Sequence, residues 1–453
     1  MTLGACRLNK RILALAVALC ASLSFIACGP SQPTTGKPGP FRVLAAQGVT
    51  TSVTFGGLVN LNGEFDTLSG LPTVSPPVSP NLIVVTPSRN IIASFDASSN
   101  TVYAVSATKE STIGSVHLQG PTLSIAMPTS TPLGFAAVPS ATVPGFSFVG
   151  AVDVMNFVNG GQTTIAVPSA QMVVSNSTGT QLLVFSNGSD AITVLAPTAA
   201  SPPVDTSCTS APNAVCIIVQ DPRLSRPVNA LINGTTAYVL NCGFECGGTQ
   251  PASVAIFDLG SLTVTSTIPV NGATDALLNG TNLYVAGKGT PTGPLCASLT
   301  NSINPTTAAT YCGTLDIVDL ATGTNPYFQN PAMEIAIPDG YHHRMDFTQD
   351  GQLFVGSYGC TNVGNINNPV GEVRGCLAIY NSVANALVIP QDNGDVGGFQ
   401  GMTTRYIEYV AEGGNLRVYD TTKDILYINS QFLPTGSIDI VGYVSDVKAI
   451  DFF

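Results

Sequence analysis

From about residue 41 to the C-terminus the chain is built of short stretches in which apolar and polar positions alternate, each closed by a turn. TTAYVLN (235–241), ASVAIFDLGS (252–261), NLYVAG (282–287) and GTLDIVDLATG (313–323) show the pattern most clearly. A period of two is that of a strand with one buried face, and Asn, Asp and Gly between such runs supply the turns. No stretch keeps a helical period. The runs also repeat: Asn233-Gly-Thr-Thr-Ala-Tyr238-Val returns 46 residues later as Asn279-Gly-Thr-Asn-Leu-Tyr284-Val. Variants occur at 179–197, 351–359 with 376–382, and 406–424.

A period of about 40–50 residues holding about four short strands is that of a β-propeller blade. With the strands of a blade labelled a to d from the central channel outward, a–b hairpins are expected near Asn81–Phe95, Thr122–Val138, Ala170–Phe185, Val228–Val239, Thr274–Val285, Arg344–Val355 and Gln400–Val410. Phe41–Leu68 reads as b and c strands with no a strand before them, and Ser445–Phe453 as an a strand with nothing after it. The expected fold is therefore all-β, a single closed β-propeller of four-stranded blades. Its C-terminal strand joins the N-terminal blade, which removes an open sheet edge. Eight blades are counted, with seven the alternative if one degenerate segment is misread. The phrases TAYVLN, NLYVAG, VAIFDL and LDIVDL resemble the YVTN-type propeller repeats of bacterial exported proteins. The resemblance covers most of residues 41–453, is closest in blades five and six, and implies a recognition role rather than a set of catalytic residues.

The first forty residues change the picture. Arg7, Lys10 and Arg11 precede a largely apolar run from Ile12 to Ala27, and no acidic residue occurs before Glu64. That is the layout of a secretory signal peptide, residues 1–27. Phe25-Ile26-Ala27-Cys28 resembles the bacterial lipobox, with Phe25 where leucine is usual. Cys28 is then the acylated first residue of the mature chain. Residues 28–40, rich in Pro, Gly, Ser and Thr, form a tether that cannot bury a core. Residues 41–453 are the propeller domain. The expected location is the bacterial cell envelope, extracytoplasmic, at the outer membrane or cell surface, with the lipid bilayer as a partner through Cys28.

Cysteine usage fits an oxidising compartment. Cys208, Cys216, Cys242, Cys246, Cys296, Cys312, Cys360 and Cys376 fall in neighbouring pairs. Proximity favours 208–216, 242–246, 296–312 and 360–376 among many formal connectivities. The chain has neither CxxC nor CxxCH, so neither a metal nor a haem is expected from these cysteines. Charge excludes one partner class. Lys and Arg number 16 against 27 Asp and Glu, only 9% of residues are charged, and nucleic-acid binding needs clustered cations.

Propeller connectivity places d–a and b–c connections on one face. Long b–c insertions at Cys242–Pro251, Gly287–Cys312 and Gly359–Cys376 fall in three consecutive blades, so that face is the expected site. A disulfide that orders a loop lowers the cost of holding a binding surface. Arg223 and Arg226 sit in one d–a connection. Tyr341-His342-His343-Arg344 with Asp346 forms the densest polar cluster and lies at the next but one. These seven residues are the candidate binding positions. On a strand His342 and His343 point to opposite sides, which argues against joint metal ligation. No nucleophile elbow, HExxH, P-loop or dinucleotide fingerprint is present, so no catalytic residue, metal or cofactor is assigned. The expected function is a binding scaffold for a protein, glycan or peptide ligand. The alternative is a propeller hydrolase or lactonase acting at the channel mouth.

Overall fold

The computed structural model describes residues 42–49, 56–64, 67–68, 79–128, 133–196, 216–288, 312–330, 332–360, 376–390, 394–402, 406–422, 436–438, 440 and 442–450. The expected signal peptide and tether, Cys28, Cys208, Cys296 and most of the blade 6 and blade 7 insertions lie outside these residues.

The described strands form eight antiparallel sheets of four strands, an eight-bladed propeller, and the described residues also include a short helical turn at Gly243–Cys246. The innermost strands, from blade 1 to blade 8, are Tyr443–Ala449, Pro80–Val85, Ser124–Ala126, Ala170–Ser175, Pro227–Asn233, Asp275–Asn279, Tyr341–Phe347 and Val396–Met402. All seven expected a–b hairpins are in place. Blade 1 closes as the sequence implies: Tyr443–Ala449 pairs antiparallel with Arg42–Gly48, and Gly57–Asn62 and Thr67–Leu68 follow outward.

The b strands are buried on both faces because each blade is covered by a neighbour on either side. Ile407–Glu412 is buried throughout, and Gln352–Tyr358 is buried except at its last residue. The outer strands are half-exposed, as in Ser111–His117. The core is consequently a ring of interblade clusters. Phe354 of blade 7 packs edge-on against Phe399 and Tyr419 of blade 8, with ring centroids 6.0 and 5.7 Å apart.

Innermost strands of neighbouring blades do not form a ladder with each other, yet their peptide groups are buried and need partners. Polar side chains supply them. Asp446 Oδ2 accepts the Ile83 N–H at 2.8 Å, Ser124 Oγ accepts that of Val173 at 2.9 Å, and Asp346 Oδ2 accepts that of Gly401 at 2.9 Å. Gln400 Oε1 accepts the Ala449 N–H at 2.8 Å. Between blades 8 and 1 the backbones come so close that a methyl on Gly397 or Gly398 would overlap the Ser445 carbonyl or the Asp446 carboxylate.

Candidate functional site at the channel mouth

A repeated irregularity marks one end of the channel. Near its start, the inner strand carries one unpaired extra residue in blades 2, 4, 5, 7, 8 and 1: Asn81, Gln171, Val228, His343, Gly397 and Ser445. A bulge bends the strand and re-aims a side chain. Here all six bulged residues line a cavity of about 370 Å³ at the channel mouth. Ser124 and Thr274 contribute from blades 3 and 6, so all eight blades build it. Asn187 and Gly188 of a b–c turn, Cys246 of the blade 5 insertion and Arg226 of a d–a connection also line it. The mouth thus lies on the face that carries the b–c and d–a connections.

Its wall has two sides. Blades 2 to 4 contribute the apolar Leu82, Leu123, Met172 and Phe185 beside the uncharged polar Asn81, Ser124, Gln171 and Asn187, and Leu123 is 68% exposed there. Opposite, blades 5 to 7 present Arg226, Asn229, Thr274, Tyr341, His343, Arg344 and Tyr358. The Tyr341 and Tyr358 rings lie 5.1 Å apart, and the His343 ring stands edge-on to Tyr358 at 4.6 Å. Burial pushes the Tyr341 phenol up, so it stays a hydroxyl. Burial, then the Arg344 charge, push His343 down to about 3, so its imidazole is neutral.

Arg344 donates from Nε to Gly397 O (3.2 Å) and from Nη1 to His343 O (3.3 Å). No carboxylate among the described residues forms an ion pair with it. The nearest electrostatic counterpart, Asp275, does not line the cavity; burial lifts Asp275 to about 6 and Arg344 opposes that rise. Arg226, by contrast, is 3.8 Å from Asp190 and also faces the Gly247 carbonyl. Among the described residues no Asp or Glu lines the mouth.

Of the seven sequence candidates, Arg226, Tyr341, His343 and Arg344 meet at this mouth. The other three stand elsewhere. His342 points the opposite way from His343, fully buried, with Nε2 2.9 Å from Pro338 O. Arg223 pairs with Asp221 at 2.7 Å and donates to Val264 O, which braces blade 5. Asp346 lies at the far end of the channel, where a second cavity of about 310 Å³ is lined by Arg89, Gln400 and Tyr406. There Asp346 adjoins Glu408, a buried carboxyl raised well above the ordinary range by desolvation and by that neighbouring carboxylate. Sequence reasoning missed Asn81, Gln171, Val228, Gly397 and Ser445. The signal that could have found them is positional, namely the first residues of each inner strand.

Cys242 is joined to Cys246 and Cys360 to Cys376, with Cα separations of 5.6 and 5.4 Å. Cys216 and Cys312 are each in a disulfide as well. Asp395 approaches the Cys360–Cys376 pair. Because those sulfurs are bonded to each other, they offer no thiolate pair to a metal.

No protein-family model matches the chain, and no curated protein matches it. Solved structures similar to it include dihydro-heme d1 dehydrogenase NirN in complex with DHE, at 12% identity, covering 93% of this chain and 78% of that one, with a TM-score of 0.56. Kuenenia stuttgartiensis hydrazine synthase is 12% identical over 84% of this chain and 91% of that one, with a TM-score of 0.46. The Cps50 (Swd1) β-propeller domain of Myceliophteria thermophila is 10% identical over 74% and 93%, also at 0.46. At this level of identity the likeness to NirN shows the propeller fold alone.

Proposed function

We infer that the chain is a lipid-anchored binding protein of the bacterial envelope, of YVTN-type repeat, whose ligand seats in the channel mouth. The observation that carries this reading is the mouth itself: a concave cavity to which every blade contributes, ringed by six bulged residues. Its volume falls in the range of small-ligand pockets, about 300–1,000 Å³. The lipobox-like Phe25–Cys28 and the tether behind it support anchoring, and the disulfides beside the mouth support a face held rigid outside the cytoplasm. The lining favours binding over the hydrolase alternative, because among the described residues it joins a neutral His343 to amides, phenols and arginine with no carboxylate to act as base.

Two measurements test it. Labelled palmitate is expected in the full chain and absent from Cys28→Ser, which is expected in the soluble fraction; unlabelled wild type would remove the anchor. Native mass spectrometry of the protein released gently from envelopes is expected to show a bound small molecule, lost from Gln171→Trp. Gln171 is exposed at the mouth, so the larger ring fills the cavity without entering the core. Retention of the same mass by that variant would place the site elsewhere.

A further inference from the structure

We propose that the mouth takes a small amphipathic monocarboxylate, its carboxylate on Arg344 and its apolar body across the channel against Leu82, Leu123, Met172 and Phe185. The inference rests on the reading of the mouth as the binding site and adds the chemistry of the ligand.

Charge is the first argument. In a chain of formal net charge −11, the described lining residues include two arginines and no Asp, Glu or Lys. Arg226 is offset by Asp190. Arg344 spends two of its five N–H groups on main-chain carbonyls, which fix the plane of the guanidinium, and among the described residues Nη2 has no acceptor. His343 is neutral and adds no second charge. Asp275 attracts Arg344 without forming an ion pair with it, so the Arg344 fork still has room for one carboxylate, whose plane it matches. The Tyr341 and Tyr358 rings stand beside it, and the Tyr341 phenol remains a hydrogen-bond donor.

Shape is the second argument. Leu82, Leu123, Met172 and Phe185 of blades 2 to 4 stand among Asn81, Ser124, Gln171 and Asn187, and blade 7 places the Arg344 guanidinium across the ring from them, so the cavity offers apolar contact on the side away from its cation. A purely apolar ligand would desolvate Arg344 without replacing its water, which costs free energy.

The test is titration calorimetry of the full mature chain in detergent with three matched probes: phenylbutyrate, phenylbutanol and phenylbutylamine. Phenylbutyrate is expected to bind about tenfold or more tightly than the alcohol, since hydrogen bonds to an ionised partner are worth that much. The amine is expected to bind weakest. Arg344→Gln is expected to abolish the preference for the acid while leaving the alcohol unchanged, and Arg344→Lys to keep part of it. Leu123→Asp, at an exposed position, is expected to weaken the acid and strengthen the amine. Arg223→Gln, away from the mouth, is the control and is expected to change nothing.

Equal binding of the three probes, or an unchanged acid preference in both Arg344→Gln and Leu123→Asp, would overturn the carboxylate assignment and leave the mouth as a site for another ligand. Absence of binding by all three probes to folded wild type would also overturn it. The native-mass measurement on Gln171→Trp decides separately whether the mouth binds anything.

Discussion

His342 gives the protein an acid-labile joint. It is 1% exposed, and its Nε2 sits 2.9 Å from the Pro338 carbonyl while Nδ1 has no partner in the described structure. Desolvation pushes it down to about 4 from an ordinary 6.5. A histidine with a depressed folded value contributes stability that is complete above about 6.5 and lost as pH falls toward about 4, because the unfolded chain takes up the proton first. The gap corresponds to about 3 kcal/mol at the acid end. Urea denaturation at pH 7, 6, 5 and 4.5 would measure it against His342→Gln, which keeps a side-chain donor and cannot titrate. The variant is expected to be the less stable at pH 7 because its amide fits the imidazole site imperfectly. Its deficit should shrink by most of that amount by pH 4.5. A deficit that stays constant across the range would refute the assignment of His342 as a buried neutral base. His343, also depressed, remains in both proteins and cancels in the comparison.

Other perturbations have equally definite outcomes. Glu408 is a buried acid with a raised folded value, so its contribution is present below about 4.5 and lost as pH rises; Glu408→Gln is expected to be more stable than wild type at pH 8, with the advantage vanishing toward pH 4.5 in the same denaturation series. Phe354→Ala removes a fully buried ring shared by blades 7 and 8 and is expected to cost about 3–5 kcal/mol in urea denaturation; a cost under about 1 kcal/mol would mean that this interblade contact is not formed. Deletion of residues 443–453 leaves Arg42–Gly48 without its inner partner and Ile83 N–H without Asp446, and is expected to abolish the cooperative thermal transition seen by circular dichroism.

The sequence carried the fold further than the site because the two are encoded differently. Strands such as LLVF at 182–185 and LFVG at 353–356 are apolar on both faces or nearly so, which is what burial between two blades demands, and one such run recurs in each blade. Ring closure was legible from an imbalance, a first blade short of an inner strand and a last strand with no blade. The polar cluster at 341–346 was legible as residue types, but its geometry was not. It lies on a strand that runs down the channel, so three residues separate His343 at the mouth from Asp346 at the far end, a rise of about 10 Å. The alternation that separates His342 from His343 was readable for the same reason. The bulges were not. Their residues are Asn, Gln, Val, His, Gly and Ser, with no shared chemistry, because a bulge here is set by how inner strands converge on the mouth rather than by the side chain at the bulge. Leu82, Leu123, Met172 and Phe185 were equally invisible as a group, since only ring closure brings blades 2 to 4 opposite blade 7.

The account stands on where a ligand goes. A crystal of residues 41–453 soaked with a bromophenyl carboxylate, with anomalous scattering recorded at the bromine edge, puts this to the test. The account predicts one bromine peak against Met172 and Leu82, with carboxylate density on Arg344 across the mouth. A bromine peak at the far end of the channel beside Asp346, or on the outer strands with the mouth holding only solvent, would contradict it.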